Sequence, residues 1–216
     1  MILKLAPLFS AVVFLPTLAV GQQLELPRPS PSSKVTQTVG LTDISVEYSS
    51  PAVRGRVIWG RVVPYGELWR AGANAATKVT FSKDVSLGAS AIPAGSYSLF
   101  VIPNKEGAWT VILNKDFNQA GTDSYKRELD LLRVEIRPET ILSRERLAYL
   151  IIDFANDAAT LALEWEKVRL SIPLKIDTDK QVTANLKSME DNAWSPYNSA
   201  AYYELTQKKD FDAGLA

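Results

Sequence analysis

The chain has 216 residues, with 24 Lys+Arg against 24 Asp+Glu, and neither histidine nor cysteine. Those two absences exclude a Ser-His-Asp triad, a thiol nucleophile, disulfides, and zinc held by thiolate or imidazole. The balanced charge removes the positive field that nucleic-acid binding draws on, and a composition 46% hydrophobic and 22% charged is that of a globular chain.

Residues 1–21 read as a signal peptide. Lys4 supplies a positive start, residues 5–20 are apolar apart from Ser10 and Thr17, and Ala19-Val20-Gly21 offers small residues for cleavage before Gln22. Pro7 and Pro16 interrupt the run, which is shorter than the roughly 20 residues a spanning helix needs. The expectation is an exported chain, periplasmic or secreted from a Gram-negative bacterium, with no membrane span after cleavage. Removing 21 residues leaves 195, enough to build a core without disulfides.

Residues 22–33 carry Pro27, Pro29 and Pro31 among serines and read as an extended linker. From Lys34 the pattern has period two. KVTQTV and DISVEYS, either side of Gly40, predict a hairpin. ATKVTFS, VSLGASAI, SYSLFVI, AWTVILN, LLRVEIRP, LAYLIIDF, TLALEWEKV and RLSIPLKI continue the series. About ten short strands with turn signals every 8–12 residues or so predict an antiparallel β-sandwich or barrel-like domain over residues 34–176. LAYLIIDF is almost continuously apolar and is expected to be a central strand covered on both faces. The polar stretch between Asp116 and Leu131 is read as a long insertion with a short helix.

After Ile176 the period changes. Asp177 or Thr178 caps a predicted helix to Asn192, and Ser195-Pro196 opens a second. KKDFDAGLA reads as the start of a third. Residues 177–216 thus form a helical tail that resembles half of a repeat pair cut short, expected to dock on the β domain. Asp177-Thr178-Asp179 resembles the start of a calcium loop, but Val182 and Ser188 stand where glycine and glutamate are required, so no metal is assigned. Neither a GxxxxGK loop nor a GxSxG elbow is present, and no cofactor is expected.

One segment departs from the strand pattern. Residues 54–78, RGRVIWGRVVPYGELWRAGANAATK, hold five basic residues and one acid, a net +4, with Trp59, Tyr65, Trp69 and four glycines. Guanidinium groups bind carboxylate or phosphate bidentately, aromatic faces stack on apolar ligand faces, and glycine lets a backbone approach. The candidate ligand-binding residues are Arg54, Arg56, Trp59, Tyr65, Glu67, Trp69, Arg70 and Asn74, for a small anionic or carbohydrate ligand or a partner protein. A structural reading competes with it: Trp59 and Trp69 are core, and Arg70 holds loop carbonyls and Glu67. Two other functions stay open. One is a glycan hydrolase using Glu67 and a second carboxylate. The other is a scaffold whose protein partner is bound by the helical tail.

VEYSSPAVRGRVIWGRVVPYGELWRAGANAATKVTFSKDV and IPAGSYSLFVIPNKEGAWTVILNKD resemble the DUF2911 family, with WRAGANAAT (69–77) the most specific piece. The resemblance, from about Pro31 to Pro173, implies one β-rich domain after a signal peptide, in exported proteins typical of Bacteroidota, often followed by tetratricopeptide-like sequence. It assigns no activity. Two positions depart from the family pattern: Ser50 stands where arginine is frequent, and Ala120 where NQWG has tryptophan.

Overall fold

The structure is a computed structural model and describes residues 26–203 together with 205 and 206; side chains of a few helix positions beyond 190 are not described. The signal segment 1–21 and the third helical stretch expected at 208–216 lie outside the described residues.

Among the described residues, ten strands form two antiparallel sheets, which face each other as an open sandwich and do not close into a barrel. The larger sheet has the order β1 (Ser32–Val39), β2 (Thr42–Ser49), β3 (Thr77–Phe81), β6 (Gly95–Ile102), β7 (Trp109–Asn114), β8 (Asp130–Ile136). The smaller has β5 (Ser90–Ile92), β4 (Val85–Leu87), β10 (Ala158–Ile176), β9 (Glu139–Ile152). The predicted β1–β2 hairpin pairs in continuous register from Ser32↔Ser49 to Val39↔Thr42 about Gly40. Gly40 holds φ +57, and a Cβ there would run into Thr178 and the Asn156 carbonyl, so glycine is required twice over.

The alternating strands place Ile44, Val46, Val79, Phe81, Leu99 and Val111 of the larger sheet against Leu161, Leu163, Leu170, Ile172 and Leu174 of the smaller, in one buried core. At about 25 cal/mol per Å² of apolar area removed from water, such a core supplies the main favourable term of folding.

Three expectations are corrected. VSLGASAI is two strands, β4 and β5, which turn back on each other at Gly88. TLALEWEKV and RLSIPLKI are one strand of 19 residues, β10, whose register shifts on either side of Glu166. Glu166 sits at φ +54, so the irregularity that resembled a turn is a bulge that bends a continuous strand. Residues 147–152 of LAYLIIDF lie in β9, the outermost strand of its sheet. Leu147, Tyr149 and Ile151 face the core, while Ala148, Leu150 and Ile152 are half-buried, and half-cover is enough to keep that run apolar. The edge is partly capped where Val53 N–H donates to Glu145 O and Leu147 N–H donates to Pro51 O.

The 115–129 insertion folds over the outer face of the larger sheet and contains one short 3-10 helix, Arg127–Leu129. Tyr125 covers Phe100 edge-on, beside Ile112. Its hydroxyl donates to Asp130 Oδ2 at 2.6 Å, and Asn114 Nδ2 donates to Asp130 Oδ1 at 2.8 Å and to Lys126 O at 2.9 Å.

Among the described residues the tail is a single helix, α1 (Thr178–Tyr203), where two were expected. It runs through Ser195-Pro196. Its first turn is tied down by the Asp177 Oδ1 cap on Lys180 N–H and by Gln181, which pairs with Thr42. Residues 182–190 are exposed, so the helix leaves the sandwich after one turn instead of docking along it. No helix among the described residues is long and apolar enough to cross a membrane.

Burial, with the Asp130 bond and charge, pushes the Tyr125 phenol up to about 12. A raised tyrosine pKa contributes stability that is complete below the unfolded value near 10 and is lost as pH climbs towards 12. Alkaline unfolding should therefore steepen between those values. Tyr125→Phe should reduce that step, to which other buried tyrosines also contribute, and lower stability at neutral pH by about 1 kcal/mol. Denaturant midpoints measured against pH give both; an unchanged alkaline step would contradict the assignment.

Candidate functional site

The crossover between β2 and β3 carries the residues singled out in the sequence. It begins as a partner for β9, through the Ala52↔Arg146 bridge, then runs on with residues 54–57, 60–62 and 64–67 exposed. Ile58 and Val63 are buried there, and Trp69 rejoins the larger sheet by exchanging two backbone hydrogen bonds of 2.8 Å with Val101 of β6. Trp69 thus occupies the line of β3, and residues 71–76 are a loop pinched out of that strand.

The loop explains most of WRAGANAAT. Thr77 N–H closes it by donating to Arg70 O at 3.2 Å. Ala71 and Asn74 hold φ of 50 and 61, the left-handed region that side chains disfavour. Ala71 is kept there by its carbonyl, which accepts from Thr77 Oγ1 at 2.9 Å and from Tyr149 Oη at 2.7 Å. Burial pushes the Tyr149 phenol far up, so this donor stays protonated. At Gly72 a Cβ would lie 2.9 Å from Thr77 Oγ1 and 3.3 Å from Ser49 O, which leaves no room for a side chain. Trp69 Nε1 donates to Gly72 O at 3.1 Å.

The candidates therefore separate. Trp69 is core, 9% exposed and stacked on Trp165 at 5.9 Å. Arg56 binds its own turn, donating to Ala52 O at 2.6 Å and Val53 O at 3.0 Å. Arg54 and Asn74 hold the segment before β1, through Pro29 O at 3.2 Å and Ser30 O at 3.5 Å, and Asn74 also donates to Ser49 Oγ at 3.2 Å. Residues 29–31, read as linker, are thus fastened to the domain; Ser50 N–H donates to Pro31 O as well. Arg70 binds neither Glu67 nor a loop carbonyl. Its Nε is buried without a partner, and its terminal nitrogen lies 3.2 Å from where a Cβ on Gly121 would stand. Glu67 is exposed and makes no ion pair among the described residues.

Trp59 and Tyr65 do come together. With Trp109, Asn104, Lys105, Gly107, Arg137, Pro138 and Val168 they line an open recess of about 420 Å³ at one end of the sandwich. Tyr65 lies across Gly60, where a Cβ would be 2.8 Å from the ring. The floor is rigid: Trp109 Nε1 donates to Asn104 O at 2.9 Å, and Asn104 Nδ2 donates to Ala108 O at 2.6 Å. Lys105 and Arg137 are exposed, no carboxylate lines the recess, and neither cation is ion-paired among the described residues. The sequence reading missed these two cations because they lie far along the chain from residues 54–78. Nothing local marks them either: near Gly107 and Pro138 they read as ordinary turn-flanking surface cations.

The positions that depart from the family pattern are also placed. Ser50 is buried and donates from Oγ to Leu147 O at 2.7 Å, and Ala120 lines a separate groove on the outer face of the larger sheet.

A family model described as "Protein of unknown function (DUF2911)" matches residues 30–174, the whole β domain to within a few residues. No curated protein matches the chain, and no solved structure does.

Gly72→Ala should cost about 1–3 kcal/mol, because the added methyl meets the Thr77 hydroxyl, which its bond to Ala71 O holds in place, and the Ser49 carbonyl. Urea unfolding of the two proteins measures it; a change below about 0.5 kcal/mol would mean that the loop yields freely.

Proposed function

The chain belongs to the DUF2911 family, and from that premise we propose that it is an exported, non-catalytic binding module for a small anionic carbohydrate, taken up in the Trp59–Tyr65 recess. The observation that carries this is the pairing of aromatic faces with two cations that no carboxylate neutralises. Trp59 and Tyr65 offer apolar surface to the face of a sugar ring. Arg137 supplies a planar fork for a carboxylate or sulfate, and Lys105 a point charge beside it. The floor fixed by Asn104 and Trp109 needs no rearrangement to receive a ligand, which lowers the ordering cost of binding. Export rests on the signal-peptide pattern of residues 1–21. The absence of histidine and cysteine from the chain favours recognition over nucleophilic chemistry.

Titration with glucuronate, followed by tryptophan fluorescence and calorimetry, tests the reading. Arg137→Ala and Lys105→Ala should each weaken binding by about tenfold with no loss of melting temperature, since both side chains are exposed. Glu67→Gln should leave binding unchanged. Equal affinity for glucuronate in the wild type and the Arg137→Ala, Lys105→Ala double variant would remove the recess from consideration. Release of reducing sugar from a glucuronate-containing glycan that ceases in Glu67→Gln would replace binding with hydrolysis.

A further inference from the structure

The strand registers align a polar row straight across the outer face of the larger sheet. Lys34 faces Glu47, Glu47 faces Lys78, Lys78 faces Ser98, Ser98 faces Asn114, and Asn114 faces Asp130. At the Asp130 end the row is saturated. Asn114 donates to Asp130 and Lys126 O, and its Oδ1 accepts from Asp116 N–H and from Gln119 Nε2, both at 3.0 Å.

At the other end the row opens into a groove of about 590 Å³. Its charged walls are Lys34, Glu47 and Lys78, and Phe117 and Gln119 line it beside them. Glu47 Oε1 takes both lysines, at 3.4 Å and 3.2 Å, so the charges alternate plus, minus, plus. Gln119 is 3% exposed and held in place from two sides: its carbonyl accepts from Ala76 N–H at 2.9 Å, and its Nε2 donates to Asn114 Oδ1 and, at 2.7 Å, to Asp116 O. Its Oε1 has no partner. An acceptor that is buried, fixed and unsatisfied at the wall of a groove is complete only when something brings it an N–H or O–H.

The alternating charges decide what that something carries. A simple anion reaching the lysines competes with Glu47 and leaves that carboxylate without a counter-ion. A simple cation reaching Glu47 leaves the lysines in the same state. A ligand bearing both charges replaces each contact it breaks, and its ammonium or amide N–H is also the donor that Gln119 lacks. We propose that this groove is a second binding site, for a zwitterion with an ammonium and a carboxylate, a free amino acid or a short peptide. Lys34 and Lys78 hold the carboxylate, Glu47 holds the ammonium, and Gln119 Oε1 accepts an N–H. Phe117, on the exposed lip, gives an apolar side chain a surface to lie on. This site shares no lining residue with the Trp59 recess.

Chemical-shift titration of the full chain separates the outcomes. The probes are glycine and triglycine, with acetate, methylammonium and N-acetylglycinamide as controls that lack one or both charges. A zwitterion should perturb Ala76, Lys78 and Gln119 amides at concentrations about tenfold lower than either singly charged control. Preference for triglycine over glycine assigns the site to peptide, and the reverse to amino acid; either supports the proposal. Lys34→Gln, on an exposed side chain, should weaken binding by about tenfold with unchanged melting temperature; Gln119→Met should weaken it as much, read at Lys78, and should also lower the melting temperature because both Nε2 bonds are lost. Arg137→Ala, an exposed change confined to the recess, should change nothing here, which keeps this result independent of the recess. Binding of acetate as tight as glycine, or an absence of perturbation at these amides at about 10 mM probe, overturns the proposal.

Discussion

Four of the five tryptophans meet between the two sheets, and the rest of the structure depends on that contact. Trp59 lies edge-on to Trp109 at 4.7 Å, to Trp69 at 5.6 Å and to Trp165 at 5.8 Å. Trp109 belongs to β7, Trp165 to β10 and Trp69 to the strand line beside β6, so one indole from the crossover bonds both sheets together. The indole N–H groups of Trp59 and Trp165 are buried without an oxygen partner. Edge-on rings offer them π faces, a weaker acceptor, and the aromatic contact area compensates. Fixing Trp59 and Trp69 also fixes what lies between and after them: Tyr65 at the mouth of the recess, and the loop 71–76 against Tyr149.

The cluster explains where polar atoms can be left over. The smaller sheet resolves its one buried carboxylate internally: Glu164, 2% exposed, receives Arg144 on one oxygen and Arg169 on the other. Both arginines come from positions set by the bulge in β10, since Glu166 rather than Glu164 pairs with Arg144 in register. A buried charge paired on both oxygens is costly to break and has nothing to offer a substrate. On the larger sheet the insertion 115–129 satisfies Asn114 and Asp130 completely but leaves Gln119 Oε1 and the buried hydroxyl of Ser98 without partners. The same polar row is thus structural at one end and open at the other.

The period-two runs made the strands legible, since each buried face is a plain alternation, as at Ile44, Val46 and Val79. The β10 bulge was not, because Glu-Lys at 166–167 carries the same local signal as a turn. Pro196 read as a helix start, yet α1 runs through it. At the candidate site, residue type was legible and partnership was not. Arginine and asparagine at 54, 56 and 74 advertise ligand chemistry but spend it on backbone carbonyls that only the fold brings near. Lys105 and Arg137 gave no signal, since their significance comes from lying beside Trp59. Gln119 is similar: nothing in FNQAG distinguishes an amide whose oxygen finds no partner.

The loop 71–76 connects these observations. A strand that ran uninterrupted from Trp69 into Thr77 would pair along β6 without a break. The pinched loop instead carries Ala76 outward, where its N–H donates to Gln119 O and Asn74 O accepts from Gly121 N–H. Those two bonds hold the 117–121 segment above the sheet and so create the groove wall. The left-handed Ala71 and Asn74 are strained, and strain persists only where the surrounding contacts over-determine it. Here Tyr149, Thr77, Ser49 and Trp69 do so from four directions. The most specific run of residues in the chain therefore works through the loop it builds: Ala75 and Ala76 line the groove themselves, and Ala76 N–H and Asn74 O hold the segment that forms its other wall.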